Sequence, residues 1–419
     1  MGAPVSKRRT KTNGPLGFEI FGAMAFLCTD LHRMESAQAK EIVGNRPYNN
    51  VEVEFVKKPA AAVGERQAVG TSNVTRDLIQ RMKGALAAIV FPRLDWIQVE
   101  VTSHCNAACI YCPRTVYRDL WVDRHLAQET FERLAPALGK VVHVHLQGWG
   151  EPFLHPRFFE MAAAAKRAGC RVGTTTNATL LDGALAERIV DSGIDVVGIS
   201  LAGVDAQGND RIRKGAPLGK VMDGVAALVR AKEAAGASRP EIHMAYMLLA
   251  SRMDDLERIP AFLEGLGVAQ VVISTLDYVA DRALSHEVIS PGETQAGQAI
   301  RRRLDAVVAQ GRARGLHVHY HLSVPGERRP CCTENVQRAL VVASDGTVTP
   351  CVYTDLEIPG AFSWRRGEGR PYHRLAMGNV NQEPLHVIWG KAAYGRFRRS
   401  FSRGPLSPPC ESCPKLYGR

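Results

Sequence analysis

Between Trp96 and His321, strand-length apolar runs alternate with helix-length stretches, and that rhythm leaves few folds open. The runs fall at Ile97–Val101, Val141–Leu146, Arg171–Thr175, Val196–Leu201, Ile242–Leu249 and Gln270–Leu276. Helical stretches separate them at Ala127–Leu138, Arg157–Ala168, Gly183–Ser192, Lys220–Ala235 and Asp254–Leu266. Pro291–Arg314 reads as a further long helix, and Val318–His321 as a short strand. Regular alternation at this spacing predicts an α/β architecture with a parallel sheet and helices outside it. About six such units with right-handed crossovers curve into an open or partial barrel. Ligands in sheets of this kind bind at the carboxyl ends of the strands.

At the end of the first strand stands His104-Cys-Asn-Ala-Ala-Cys-Ile-Tyr-Cys-Pro113, with thiols at Cys105, Cys109 and Cys112. Iron–sulfur clusters ordinarily take four thiolates. Three on one short loop therefore leave one iron of a cubane open to another ligand. A structural zinc knuckle using His104 is the competing reading, but zinc sites more often pair two-residue spacings.

The bulk numbers are those of a globular chain: 419 residues, 45% hydrophobic and 23% charged. Met1 to Gly14 is polar and basic and lacks the apolar core of a secretion signal. The longest apolar runs, near Phe18–Cys28 and Gly84–Phe91, are too short to span a bilayer. Ten cysteines in such a chain point to a reducing cytoplasm and to metal binding. The net charge of +11 is dispersed, with local groups at Lys7–Lys11, Arg301–Arg303 and Arg396–Arg403. No nucleic-acid module accompanies it, so a solvated basic surface is the expectation, compatible with an anionic substrate or a peptide partner.

Cys-x-x-x-Cys-x-aromatic-Cys, with Tyr111 as the aromatic, resembles the signature of the radical S-adenosylmethionine enzymes. The resemblance implies a six-unit partial barrel and a catalytic [4Fe–4S] cluster whose open iron chelates S-adenosyl-L-methionine. It also implies reductive cleavage of that cofactor to a 5′-deoxyadenosyl radical, which abstracts a substrate hydrogen atom. A flavodoxin- or ferredoxin-type electron donor and sensitivity to oxygen belong to the same expectation. Gln147-Gly-Trp-Gly-Glu-Pro152 resembles the family's Gly-Gly-Glu-Pro loop, with Trp149 where the first glycine usually stands. Glu151, helped by the backbone of Gly148 and Gly150, is then expected to meet the cofactor amine. Thr176 and Asn177, at the end of the third strand, match the family's Thr-Asn pair, although Asn177 equally suits a turn. Ser200 is a candidate ribose contact, and Arg213, with Arg211 as rival, a candidate partner of the cofactor carboxylate. His143, His145, His243, Tyr246, Met247, Ser274, Thr275 and Asp277 occupy barrel strands or their ends, with inward parity undetermined.

Cysteine returns near the C-terminus at Cys331-Cys332, Cys351, Cys410 and Cys413. Asp345-Gly346 reads as a hairpin turn bringing Cys332 and Cys351 together on adjacent strands. This stretch resembles the opening of a SPASM domain, and Met377–Trp389 matches that module's Gly-Asn…Trp run. The chain ends six residues after Cys413. Four ligands remain, Cys332 (or Cys331), Cys351, Cys410 and Cys413, enough for a second, auxiliary [4Fe–4S] cluster; a four-cysteine zinc site is the alternative. Such a fully ligated cluster suits electron transfer or structural support. Cys28 and Cys170 read as ordinary buried cysteines.

The expected organisation is an N-terminal extension over residues 1–90, a barrel over 91–322 and a small cysteine-rich domain over 323–419. Within the extension, Val51–Val56 reads as an exposed strand and 57–70 as loosely ordered. The expected activity is radical modification of a peptide or a small metabolite. Alternatives are a carbohydrate epimerase or dehydrogenase of the same superfamily, or a non-catalytic iron–sulfur or zinc scaffold.

Overall fold

The computed structural model describes residues 91–417 apart from 290, 291, 293, 324–331 and 366. The predicted N-terminal strand, Cys28 and Cys331 lie outside the described residues. Strands in chain order are β1 (Leu94–Val99), β2 (Ala108–Cys109), β3 (Val141–Leu146), β4 (Arg171–Thr176), β5 (Val196–Leu201) and β6 (Arg213–Lys214). They continue as β7 (Glu241–Leu248), β8 (Gln270–Thr275), β9 (His317–Tyr320), β10 (Ala339–Val342) and β11 (Thr347–Thr349). The last are β12 (Phe362–Arg365), β13 (Glu368–Pro371) and β14 (Gly378–Asn379).

One sheet of ten strands runs in the order β14-β11-β10-β1-β3-β4-β5-β7-β8-β9. From β10 to β9 every neighbouring pair is parallel. The six expected βα units are therefore β1, β3, β4, β5, β7 and β8, with β9 as an added edge. Alternate residues explain which face is which. Ile97, Val99, Val144, Leu146 and Val172 are fully buried under the outer helices, while Gln98 and His145, paired in register across β1 and β3, turn to the barrel interior. Gly173 follows in register on β4. A Cβ there would come within 2.9 Å of His145 Nδ1, so glycine leaves the ring its space.

Two expected helices are not continuous. The first divides into Gln128–Glu132 and Ala135–Leu138, since Pro136 has no N–H to give the preceding turn. The stretch expected at Asp254–Leu266 is a 3₁₀ segment, Ala250–Arg258, followed by a short helix, Ile259–Leu263, that carries Pro260 in its first turn. Arg252 departs from helical angles there. Its guanidinium ties Asp255 to Asp205 at 2.6 and 3.0 Å.

The C-terminal cysteines are carried by the same sheet. β10 and β11 form an antiparallel hairpin, and β10 pairs in parallel with β1. The turn contains Gly346 at φ +84°, a left-handed conformation that suits glycine. The hairpin predicted at Asp345-Gly346 is present, but its cysteines are not on the strands. Cys351 lies two residues beyond β11 and Cys332 seven before β10, because a turn at Asn335, φ +47°, separates Cys332 from the short strand.

Candidate active site

The C-terminal ends of β1, β3, β4, β5, β7 and β8, with the loops that follow most of them, converge on one cavity of about 380 Å³. Cys105, Cys109 and Cys112 line it from one side and are half-buried. Their loop is held by backbone pairing. Cys109 lies opposite Arg213 in the β2–β6 ribbon, and the Ile110 N–H donates to Ile212 O at 2.9 Å. Burial pushes the Cys112 thiol up to about 12 and raises Cys105 as well. A bound metal reverses that balance, since a coordinating thiol deprotonates outright.

Arg213 is the most informative side chain. It is 2% exposed and lines the cavity, yet its Nε and Nη1 have no hydrogen-bond partner. A buried guanidinium with unspent donors suits an anionic ligand, carboxylate above all. Arg211 is exposed, so of the two arginines it is Arg213 that the structure brings to the cavity.

Glu151 faces the same cavity and is 1% exposed. Its carboxylate accepts from Thr176 Oγ1 and from the Asn177 N–H, both at 2.7 Å. Burial nonetheless pushes its pKa up to about 7, against those donors and the Arg213 charge. Thr176 thus acts on Glu151. Asn177 does something the sequence did not disclose. Its Nδ2 donates to Asn106 Oδ1 at 2.8 Å and lies 3.9 Å from Cys105 Sγ, while its Oδ1 accepts from the Thr179 N–H at 2.9 Å. The turn reading and a contact with the cysteine loop both hold for it. Asn106, whose own Nδ2 reaches Thr179 Oγ1 at 2.8 Å, is a participant that sequence reading missed.

The glycines of the Gln147–Pro152 loop answer to protein neighbours. A Cβ at Gly148 would fall 2.1 Å from Glu100 Cγ, and one at Gly150 would fall 2.3 Å from His104 O. The loop is pressed against the segment that leads into the cysteines, and the Glu151 N–H donates to His104 O at 2.7 Å. Trp149 lines the cavity and also reaches beyond it. Its Nε1 donates to Asp355 O at 2.9 Å, and its ring packs beside Tyr278, Leu356 and Tyr372. The unusual residue in this loop is therefore a fastening to the C-terminal region.

Tyr111, Ser200, Met247, Ser274, Thr275 and Asp277 also line the cavity. His145 reaches it, hydrogen-bonded to Gln147 at 2.6 Å; burial pushes its pKa down to about 4. His143 and His243 are not among the residues that line the cavity, and Tyr246 faces outward, donating to Asp255 at 3.1 Å. Missed altogether were Lys415, Glu334 and His321, which also line the cavity.

The cysteines of the second group lie in one region of the fold. Cys332, Cys351 and Cys410 are buried, Cys413 partly so. Cys351 lies within electrostatic reach of the other three, and burial raises its thiol and that of Cys332. Cys170 lies apart, donating to Leu138 O at 3.2 Å.

Residues 99–237 match the model of the radical SAM superfamily, and residues 331–414 that of the SPASM iron–sulfur cluster-binding domain. The chain is 24% identical over 331 residues to a tungsten-containing aldehyde ferredoxin oxidoreductase cofactor-modifying protein of Pyrococcus furiosus, covering 76% of this chain and 87% of that one. It is 28% identical over 330 residues to the PqqA peptide cyclase of Gluconobacter oxydans, covering 75% and 81%. Streptococcus suis SuiB, solved with S-adenosylmethionine, superposes with a TM-score of 0.56 at 14% identity, covering 83% and 78%. Solved with its precursor peptide SuiA, it superposes with a TM-score of 0.54 at 13% identity, covering 94% and 83%. No described helix is long and apolar enough to cross a membrane. The chain is an enzyme that carries a radical S-adenosylmethionine domain and a SPASM domain, modules that imply [4Fe–4S] clusters and S-adenosylmethionine.

Proposed function

We propose that this enzyme modifies a peptide. In this reading Cys105, Cys109 and Cys112 hold a [4Fe–4S] cluster, and Arg213 and Glu151 receive the amino-acid end of S-adenosylmethionine. The cofactor, once bound and reduced, supplies a 5′-deoxyadenosyl radical able to take a hydrogen atom from an unactivated carbon. The chain's own contribution is to bind, orient and exclude water. The observation that carries the reading is Arg213, a buried guanidinium with two unpartnered nitrogens in the cavity that the three thiols line.

Cys332, Cys351, Cys410 and Cys413 then hold the auxiliary cluster, which has no iron to spare for a substrate and suits taking up an electron. A flavodoxin- or ferredoxin-type protein delivers the electron that starts the cycle. A peptide is favoured as substrate on two grounds. The relatives include PqqA peptide cyclases, and a similarly folded protein has been solved with a precursor peptide. The cavity is also at the small end of ligand sites, so a substrate sharing it with a cofactor inserts one residue and leaves the rest outside.

The test is anaerobic. Reconstituted, reduced protein is expected to convert S-adenosylmethionine to 5′-deoxyadenosine and to hold about eight irons per chain. Cys109→Ala should abolish cleavage. Cys413→Ala should keep it while iron falls to about four per chain. Equal loss of cleavage in both variants contradicts the division of labour between the two sites.

A further inference from the structure

Part of the cavity lining is built from three segments that meet at a buried lysine. Lys415 is 9% exposed. Its Nζ pairs with Asp277 Oδ2 at 3.0 Å, and Glu334 Oε1 stands at 3.8 Å. Asp277 follows β8 of the barrel and also accepts from Thr275 Oγ1 at 3.2 Å. Glu334 lies two residues after Cys332, and Lys415 two residues after Cys413. Backbone pairing fixes that junction: the Thr333 N–H donates to Lys415 O at 3.0 Å. The ammonium lies 5.6 Å from the ring centre of Tyr353, itself two residues after Cys351. Lys415, Asp277, Glu334 and Tyr353 all face the cavity.

One cation thus touches the barrel mouth and three of the segments that carry the C-terminal cysteines. Charge in such a position acts on both sides at once. Potentials of iron–sulfur centres respond to nearby net charge and to burial, and interactions between charges out of water are screened only weakly. From this placement we infer that Lys415 is a positioning residue that sets the reduction potential of the auxiliary centre and holds the Asp277 carboxylate in the cavity wall. The inference rests on the reading that the four C-terminal cysteines bind an iron–sulfur cluster.

The experiment is a redox titration of the reconstituted full chain, following the paramagnetic signal of the auxiliary centre. Lys415→Gln removes a positive charge and is expected to move the potential to a more negative value. Asp277→Asn removes a negative one and is expected to move it the other way. Lys415→Arg should restore the wild-type potential. Opposite shifts from the two neutralising variants are the signature, because a residue needed only for packing would not produce them. If Lys415→Gln loses its auxiliary iron, Asp277→Asn decides alone: a positive shift supports the role and an unmoved potential overturns it. Shifts of the same sign, or three unaltered potentials, overturn it as well and leave the two-cluster reading standing. A wild-type chain without any second iron–sulfur signal overturns both.

Discussion

Arg213 owes its place to a two-residue strand. The β2–β6 ribbon sets it opposite Cys109, and burial then makes its open donors costly unless something anionic meets them. Lysine in its place keeps the charge but loses the planar fork. Arg213→Lys is therefore expected to weaken S-adenosylmethionine binding by about tenfold to a hundredfold, the value of a hydrogen bond to a charged group, as read by equilibrium titration of the reconstituted protein before reduction, where the cofactor is bound but not cleaved. His145 makes a different prediction. Its folded pKa, about 4, lies below the ordinary histidine value. Between pH 4 and 6.5 the unfolded chain takes up a proton that the folded one refuses, so stability rises with pH across that window and is complete above it. The group is worth up to about 3 kcal/mol there. In thermal melts His145→Gln should flatten the loss of stability on acidification; an unchanged slope assigns that loss to other groups.

At the scale of elements, the decisive contact is between two loops. Gly150 lets the chain after β3 lie directly on the backbone before Cys105. Gly150→Ala would push against two carbonyl oxygens, His104 O and Thr102 O, at 2.3 and 2.4 Å. Overpacking of this kind costs on the order of 3 kcal/mol, so chemical denaturation should show a lowered midpoint, with the Glu151–His104 bond lost. How much of this was legible in the sequence divides along physical lines. The six barrel strands were legible to within two or three residues, because apolar runs and the strand period are local signals. The cysteine trio and Glu151 were legible because their spacing is chemical. Arg213 was separable from Arg211 only through burial, which depends on a ribbon too short to announce itself. Asn177 and Trp149 point where they do because of partners 71 and 206 residues away, and no local pattern encodes such distances. Lys415 had one faint signal, its place just after the last cysteine.

On the scale of the whole molecule, the barrel and the hairpin between Cys332 and Cys351 are one sheet, since β10 hydrogen-bonds to β1 along four residue pairs. β1 also leads straight into the loop of Cys105, Cys109 and Cys112. Glu100, just past β1, reinforces the joint: it receives the Trp149 N–H at 2.9 Å and the Ser344 hydroxyl at 2.7 Å. Arg374 adds ion pairs to Asp345 and Asp355 at 2.6 and 2.7 Å.

The shared strand works like a ruler cut from a single piece. A hinge between the hairpin and the barrel would require tearing a parallel ladder within the sheet, so the spacing between the loop that follows β1 and the Cys351 turn that follows β11 is built in at folding.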